Sequence, residues 1–189
     1  MKQIYKKANR LLLLMFLALI CHVSTFAQLN GTYTVYGTGA NYATLQAAAS
    51  ALSAGVSGPV VFKVRPGTWT DANTVIASIG NISGASATNT ITFEAENGSA
   101  ATTILVNTNT STTAGTNNIF YLNSAKYVRV RNLTLNKSNA SAGVCIRYAG
   151  DADFNIVENC ILTGAATTAS STNTARVFGT SLVSANNNI

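Results

Sequence analysis

Leu11 to Ile20 is an unbroken apolar run of ten residues. Beyond it the pattern changes to short alternating stretches. Gly31 to Gly37 (GTYTVYG) alternates through β-formers and predicts a short strand. Tyr42 to Ala54 differs, because Leu45, Ala48, Ala49 and Leu52 recur at helical spacing and the alanines favour helix. Asn41 is the candidate N-cap of that helix and Gly55 its terminator. Pro59 to Val64 predicts the next strand, followed by a turn at Arg65 to Thr68. The rest reads as short strands between turn clusters: Ile91–Glu94, Thr103–Val106, Ile119–Leu122, Tyr127–Arg131 and Leu133–Leu135. A second set follows at Val144–Tyr148, Phe154–Val157 and Cys160–Leu162, with polar loops at Ser111–Asn118 and Gly164–Asn173.

The two sets repeat. Ile119 aligns with Ile146, Tyr127 with Phe154, Val130 with Val157, Asn132 with Asn159 and Leu135 with Leu162, every pair separated by the same step. That step, taken again from Asn159, reaches Asn186 in a more degenerate third copy. Arg129 would then face Ile156 and Val128 would face Asn155, which leaves room for a local one-residue shift. Repeats of about 20–50 residues point to a solenoid, and this one falls in that range. Three short strands per repeat with no helix inside it predict a parallel β-helix, each strand stacked about 4.8 Å above its equivalent. Asn tolerates left-handed backbone at bends, and stacked amides bond along an axis in other ladders. Asn132, Asn159 and Asn186 are therefore the expected structural Asn ladder.

Charge locates the chain. Lys2, Lys6, Lys7 and Arg10 precede the apolar run, and Thr25-Phe26-Ala27 places small residues at −3 and −1 of a cleavage site. This is the layout of a secretory signal peptide over 1–27. The run is too short to span a bilayer, which takes about 20 apolar residues. Cys21 raises acylation as an alternative, against which Ile20 is a poor preceding residue. Removing 1–27 takes four of the 12 basic residues and none of the six acidic ones, leaving a mature net charge of +2. That is too little to argue for nucleic acid. The only histidine, His22, also leaves, which excludes a His-based triad or zinc site. Cys145 and Cys160 remain; a bridge is open in an oxidising compartment, but small buried apolar side chains are the favoured reading.

The helix at Tyr42-Ala43-Thr44-Leu45-Gln46-Ala47-Ala48, followed by Val60-Val61-Phe62-Lys63-Val64-Arg65-Pro66-Gly67-Thr68-Trp69-Thr70-Asp71, resembles the entry to pectin-lyase-like right-handed β-helix proteins. Val130-Arg131-Asn132-Leu133-Thr134-Leu135 and Val157-Glu158-Asn159-Cys160-Ile161-Leu162 resemble the generic parallel β-helix repeat. The resemblance covers Gly31 to Ile189. It implies an all-β right-handed parallel β-helix in which a short helix caps the first coil. The expected organisation is a signal peptide at 1–27, an N-terminal strand, capping helix and first coil at 28–70, and further coils at 71–189 with an incomplete last one. It also implies the first part of a large bacterial secreted or surface protein, with downstream domains of the same polypeptide expected. This fold hosts lyases, esterases, hydrolases, adhesins and passive stalks, so it does not fix function.

The chemistry must therefore come from residues. Outside 1–27 the carboxylates are Asp71, Glu94, Glu96, Asp151, Asp153 and Glu158. Glycoside hydrolysis uses two carboxylates about 5–10 Å apart; Asp151 and Asp153 are the candidates, against the plainer reading of a polar turn. A lyase would add a basic residue, Arg129 or Arg147, and calcium. Calcium takes about six to eight oxygen ligands, more than two aspartates supply, so no cofactor or metal site is assigned. Arg129 and Arg131 suit the exposed side of a half-buried strand. Glu94 and Glu96 read as a solvated edge. Trp69 is expected to cover the N-terminal end of the core.

The expectation is an exported structural or binding module of the stalk or adhesin kind, with extracellular polysaccharide as candidate partner and no catalytic site of its own. The alternative is the N-terminal part of a pectin-lyase-like lyase or hydrolase whose site lies beyond residue 189. The chain ends within a repeat, so an open last coil and a tendency to aggregate are also expected.

Overall fold

A computed structural model describes residues 27–111, 117–138, 143–164 and 177–179, the last three by backbone alone. Residues 1–26, where the sequence is expected to hold a signal peptide, and Asn186 lie outside the described residues. The chain is all-β with little helix, in three parallel sheets. β1 (Leu29–Val35) is followed by a helix, α1 (Leu45–Ala51), and then β2 (Val56–Val64), β3 (Gly67–Asp71) and β4 (Val75–Ile79). β5 (Ile91–Ala95), β6 (Thr103–Asn107) and β7 (Asn118–Asn123) repeat the sequence of sheets. β8 (Val128–Arg131), β9 (Thr134–Lys137), β10 (Val144–Ala149), β11 (Ile156–Glu158), β12 (Ile161–Gly164) and β13 (Val177–Gly179) complete the described strands. The first sheet has the order β1-β2-β5-β8-β11, the second β3-β6-β9-β12 and the third β4-β7-β10-β13. From β2 onward, consecutive strands pass to the three sheets in rotation.

Inward side chains of the first sheet form the core. Val60, Phe62 and Val64 of β2 stand opposite Ile91, Phe93 and Ala95 of β5, all essentially inaccessible. Tyr33, Phe62 and Phe93 stack strand upon strand, with ring centroids 5.8 and 4.8 Å apart. Phe93 then meets Phe120 of the third sheet edge-on at 5.4 Å. Such pairs add about 0.5–1.5 kcal/mol each beyond the burial of their area.

The helix forms where its pattern predicts, but it is shorter and capped differently. Thr44, not Asn41, is the N-cap, its hydroxyl accepting the Ala47 N–H at 3.1 Å. Asn41 ties the preceding loop instead, accepting the Thr34 N–H at 2.8 Å. A 3₁₀ turn at Leu52–Ala54 and Gly55, at φ 82°, end the helix. Leu45, Ala48 and Ala49 are buried, and the helix lies against β4 and β1, the first strands of the third and first sheets. Trp69 packs at the same end: its ring stacks on Tyr36 at 4.6 Å and its indole N–H donates to the Arg65 carbonyl at 2.9 Å.

Two strands, β3 and β4, stand where the pattern predicted a turn and nothing. Gly67-Thr68-Trp69-Thr70-Asp71 carries one large apolar residue, so alternation is almost invisible there. The constant step read from sequence holds between β8 and β11, where Arg129 faces Ile156 and Val130 faces Val157 with no shift. It also holds between β9 and β12, where Leu135 faces Leu162. It fails at Ile119: Ile146 pairs with Phe120. The cause is the next corner. Ala149 pairs with Asn123, one position short of the step, whereas Tyr127 stacks on Phe154 at the full step. The corner after β10 is therefore longer by one position than the corner after β7. Left-handed Gly150 and Ser124 open these two corners, at φ 60° and 58°.

Candidate functional site

The corner between the third and first sheets collects two of the residues singled out from sequence, Asp151 and Asp153, together with one that was not. Asp151 and Asp153 lie between β10 and β11. One circuit earlier, between β7 and β8, Lys126 stands at the equivalent place, and its Nζ donates to Asp151 Oδ2 at 2.7 Å. The Asp153 Oδ2 lies 3.8 Å from the same amine. Asp153 is buried and Asp151 is exposed. The hydrogen bond from Lys126, helped by one shared with Asp153 and by the Lys126 charge, holds the Asp151 carboxyl below its ordinary range. The Lys126 amine is raised in turn, chiefly by its hydrogen bond to Asp151. Lys126 reads in sequence as an ordinary solvated charge; only its separation from the two aspartates, close to the repeat step, could have drawn attention.

The arginines do not complete that group. Arg129 belongs to β8 in the first sheet and points outward, half-buried, beside Val128 and Val130, which point in. Arg147 belongs to β10 in the third sheet, is buried, and is in register with Tyr121 of β7. The cation set between Asp151 and Asp153 is Lys126.

Beneath the charges the corner is built from backbone and one amide. Asn155 is fully buried; its Oδ1 accepts the Val128 N–H at 3.0 Å and its Nδ2 donates to the Ala125 carbonyl at 2.9 Å. It thus clamps the corner of the preceding circuit. Tyr127 and Phe154 both adopt left-handed backbone, at φ 60° and 58°, unusual for bulky residues. Their rings lie flat on one another, 5.1 Å apart and 6° from parallel, and Phe154 is 43% exposed. The corner therefore presents an aromatic pair beside an amine and the exposed carboxylate of Asp151, with Asp153 buried behind them.

Asn132 and Asn159 occupy the bend between the first and second sheets, both left-handed at φ 56° and 52°. What joins these circuits there is backbone, the Asn132 N–H donating to the Glu158 carbonyl at 3.2 Å. No hydrogen bond between the two side-chain amides is present among the described residues. In earlier circuits the register places Ala95 and Val64 at this position, so an Asn column does not run through the first sheet.

A second charged group lies on the outer face of the first sheet. Lys63, Glu94, Arg131 and Glu158 are in register on β2, β5, β8 and β11. Glu94 accepts from both Lys63 and Arg131, and Arg131 Nη1 lies 3.7 Å from Glu158 Oε1. Although it faces out, Glu94 is buried. Burial pushes its carboxyl up, but the hydrogen bonds from Lys63 and Arg131 and their two charges prevail and hold it below the usual range. The reading of Glu94 as a solvated edge is thereby corrected.

Cys145, buried, and Cys160, half-buried, are not bridged to one another. Among the described residues no group of three or more His, Cys, Asp or Glu is placed to hold a metal ion. No helix among them is long and apolar enough to cross a membrane. Comparison of the chain with family models, with curated proteins and with solved structures finds no match in any of the three.

Proposed function

We propose that the chain is an exported right-handed parallel β-helix module of the stalk or adhesin kind, similar to pectin-lyase-like repeats, that meets carbohydrate at the Lys126–Phe154 corner. The observation that carries the structural half is the use of charge. Glu94, Asp151 and Glu158 all spend their carboxylates on cations of a neighbouring circuit, which suits a scaffold. Rotation of consecutive strands through three parallel sheets supports the β-helix, and parallel crossovers are right-handed in nearly every protein. Flat rings beside fixed hydrogen-bonding groups suit a sugar, whose C–H face stacks on aromatics while its hydroxyls bond the amine and the exposed carboxylate.

Two measurements test this reading. Arg129→Cys with Ile156→Cys places thiols on stacked strands about 4.8 Å apart, within disulfide reach; a bridge in the oxidised protein is expected, and its absence overturns the stacking. In glycan-array binding, Phe154→Ala is expected to lose whatever the wild type binds. Calcium-dependent release of unsaturated uronides from polygalacturonate by the wild type would overturn the non-catalytic reading.

A further inference from the structure

The second sheet has an inward row unlike the apolar rows around it: Asp71 of β3, Asn107 of β6 and Lys137 of β9 are register partners in succession. Asn107 and Lys137 are 0% and 2% exposed. Lys137 Nζ donates to Asn107 Oδ1 at 2.8 Å, to the Asn107 main-chain carbonyl at 3.4 Å and to the Asn109 carbonyl. The same Asn107 Oδ1 accepts the Asn109 N–H at 2.9 Å. The Asn107 Nδ2 donates to the carbonyls of Asn73 and Asn118, at 3.0 and 3.3 Å. Asp71 secures one of these acceptors, because its Oδ1 takes the Asn73 N–H at 2.7 Å. Gly143 lies so close that a Cβ there would overlap both Cγ and Cε of Lys137. A larger residue is excluded, and the lysine stem is clamped.

These contacts put a buried amine against a buried carboxamide whose oxygen is polarised by a main-chain donor and whose nitrogen is held by two acceptors. Nothing about that arrangement is needed for an ordinary core, where an apolar pair would pack without desolvating a charge. We propose that Lys137 and Asn107 join in an intramolecular isopeptide bond, a covalent staple between β6 and β9 that the fold itself promotes. In the neutral amine the Nζ lone pair attacks Asn107 Cγ, and the carbonyl π pair moves onto Oδ1, where the Asn109 N–H stabilises it. One Nζ proton passes to Nδ2. The Cγ–Nδ2 bond then breaks, the carbonyl re-forms, and ammonia departs. A primary amide and an amine become a secondary amide and ammonia, with no oxidant or cofactor. Burial supplies the nucleophile, since desolvation lowers the Lys137 amine to about 8, an effect that the electrostatic influence of the nearby Cys145 opposes only in part. Confinement of amine and amide at contact distance supplies the rest. This inference stands apart from the proposed function and does not rest on it.

The test is mass spectrometry of the purified mature protein. A peptide containing Asn107 joined to one containing Lys137 is expected, with the chain lighter by one ammonia. Lys137→Arg and Asn107→Ala are expected to lose both the linked peptide and that mass difference. After incubation near pH 8 and denaturation, Lys137 of the wild type is expected to resist amine labelling, a readout that does not depend on a variant folding. Full labelling of Lys137 with intact mass overturns the proposal. So does an ammonia loss that maps to a succinimide at Asn97-Gly98 with Lys137 unlinked.

Discussion

Two charged groups bind successive circuits of this chain, and they differ in what surrounds them. Around Glu94 the charges alternate along four strands of one sheet, and the central carboxylate is 4% exposed. At the corner, Lys126 and Asp151 are also in direct contact, but the Asp151 side chain is 53% exposed. The cations are about equally exposed, so the difference lies in the carboxylates: water reaches Asp151 and hardly reaches Glu94. The lesson is that a salt bridge's contribution follows the desolvation of its members more than its length. The Glu94 group fixes register, because a slip of one residue would strand a buried carboxylate away from both cations. The Lys126 group leaves its corner free to meet something else.

The largest effect is expected at Glu94. Glu94→Ala removes the acceptor shared by Lys63 and Arg131. Both cations have side chains about one-third exposed and can turn to water, so the loss falls short of that for a fully buried pair. About 2 kcal/mol is expected, read by urea denaturation as a lower midpoint at unchanged slope. A loss as small as that of a surface pair would erase the contrast.

Next comes Asn155, the uncharged support of the exposed corner. Asn155→Ala leaves the Val128 N–H and the Ala125 carbonyl without the amide that satisfies them. The cost is about 1–2 kcal/mol, toward the lower end of the penalty for burying a polar group unpaired. A corner that relies on its ion pair rather than on Asn155 would show little change in the same denaturation assay.

Acid separates the two groups further. The folded Glu94 carboxyl lies below its ordinary value of 4.5. A carboxylate so depressed contributes stability in full above the ordinary value and loses it as pH falls through the folded one. The stability difference between wild type and Glu94→Gln should therefore be flat at neutral pH and shrink below about pH 4.5. A difference that grows on acidification would give the wrong sign and refute the assignment.

What was legible in the sequence follows the same division. The repeat could be read where β8 meets β11 and β9 meets β12, because the bends between those strands are short and equal, so register partners there keep a constant spacing. Earlier circuits hide it: the step from Val60 to its partner Ile91 is shorter than the step from Ile91 to Val128, and both exceed the later one. Turns absorb such differences without disturbing the sheets. The Glu94 group is invisible for that reason, since Lys63, Glu94 and Arg131 share no fixed step. Lys137 and Asn107 escape in the same way, register partners at a separation that no other pair of circuits repeats. Asp151 and Asp153 were visible because they sit two apart in a turn opened by Gly150, but their partner Lys126 was not, because lysines in turns are commonplace.

The smallest effect is expected at that exposed pair. Asp151→Asn deletes the charge while keeping shape and one acceptor. Both side chains are solvated, so the stability change should be the least of the set and should fade as salt rises, since screening acts over about 10 Å at 0.1 M ionic strength. The Glu94→Ala loss should persist under the same salt, because its central charge is withdrawn from the counterions. Measured together across a salt titration, the two variants set apart the pair that holds the sheets in register and the pair that merely decorates a corner. Asp151→Asn effects that resist salt would place Asp153, buried beside the same lysine, at the centre of the corner instead.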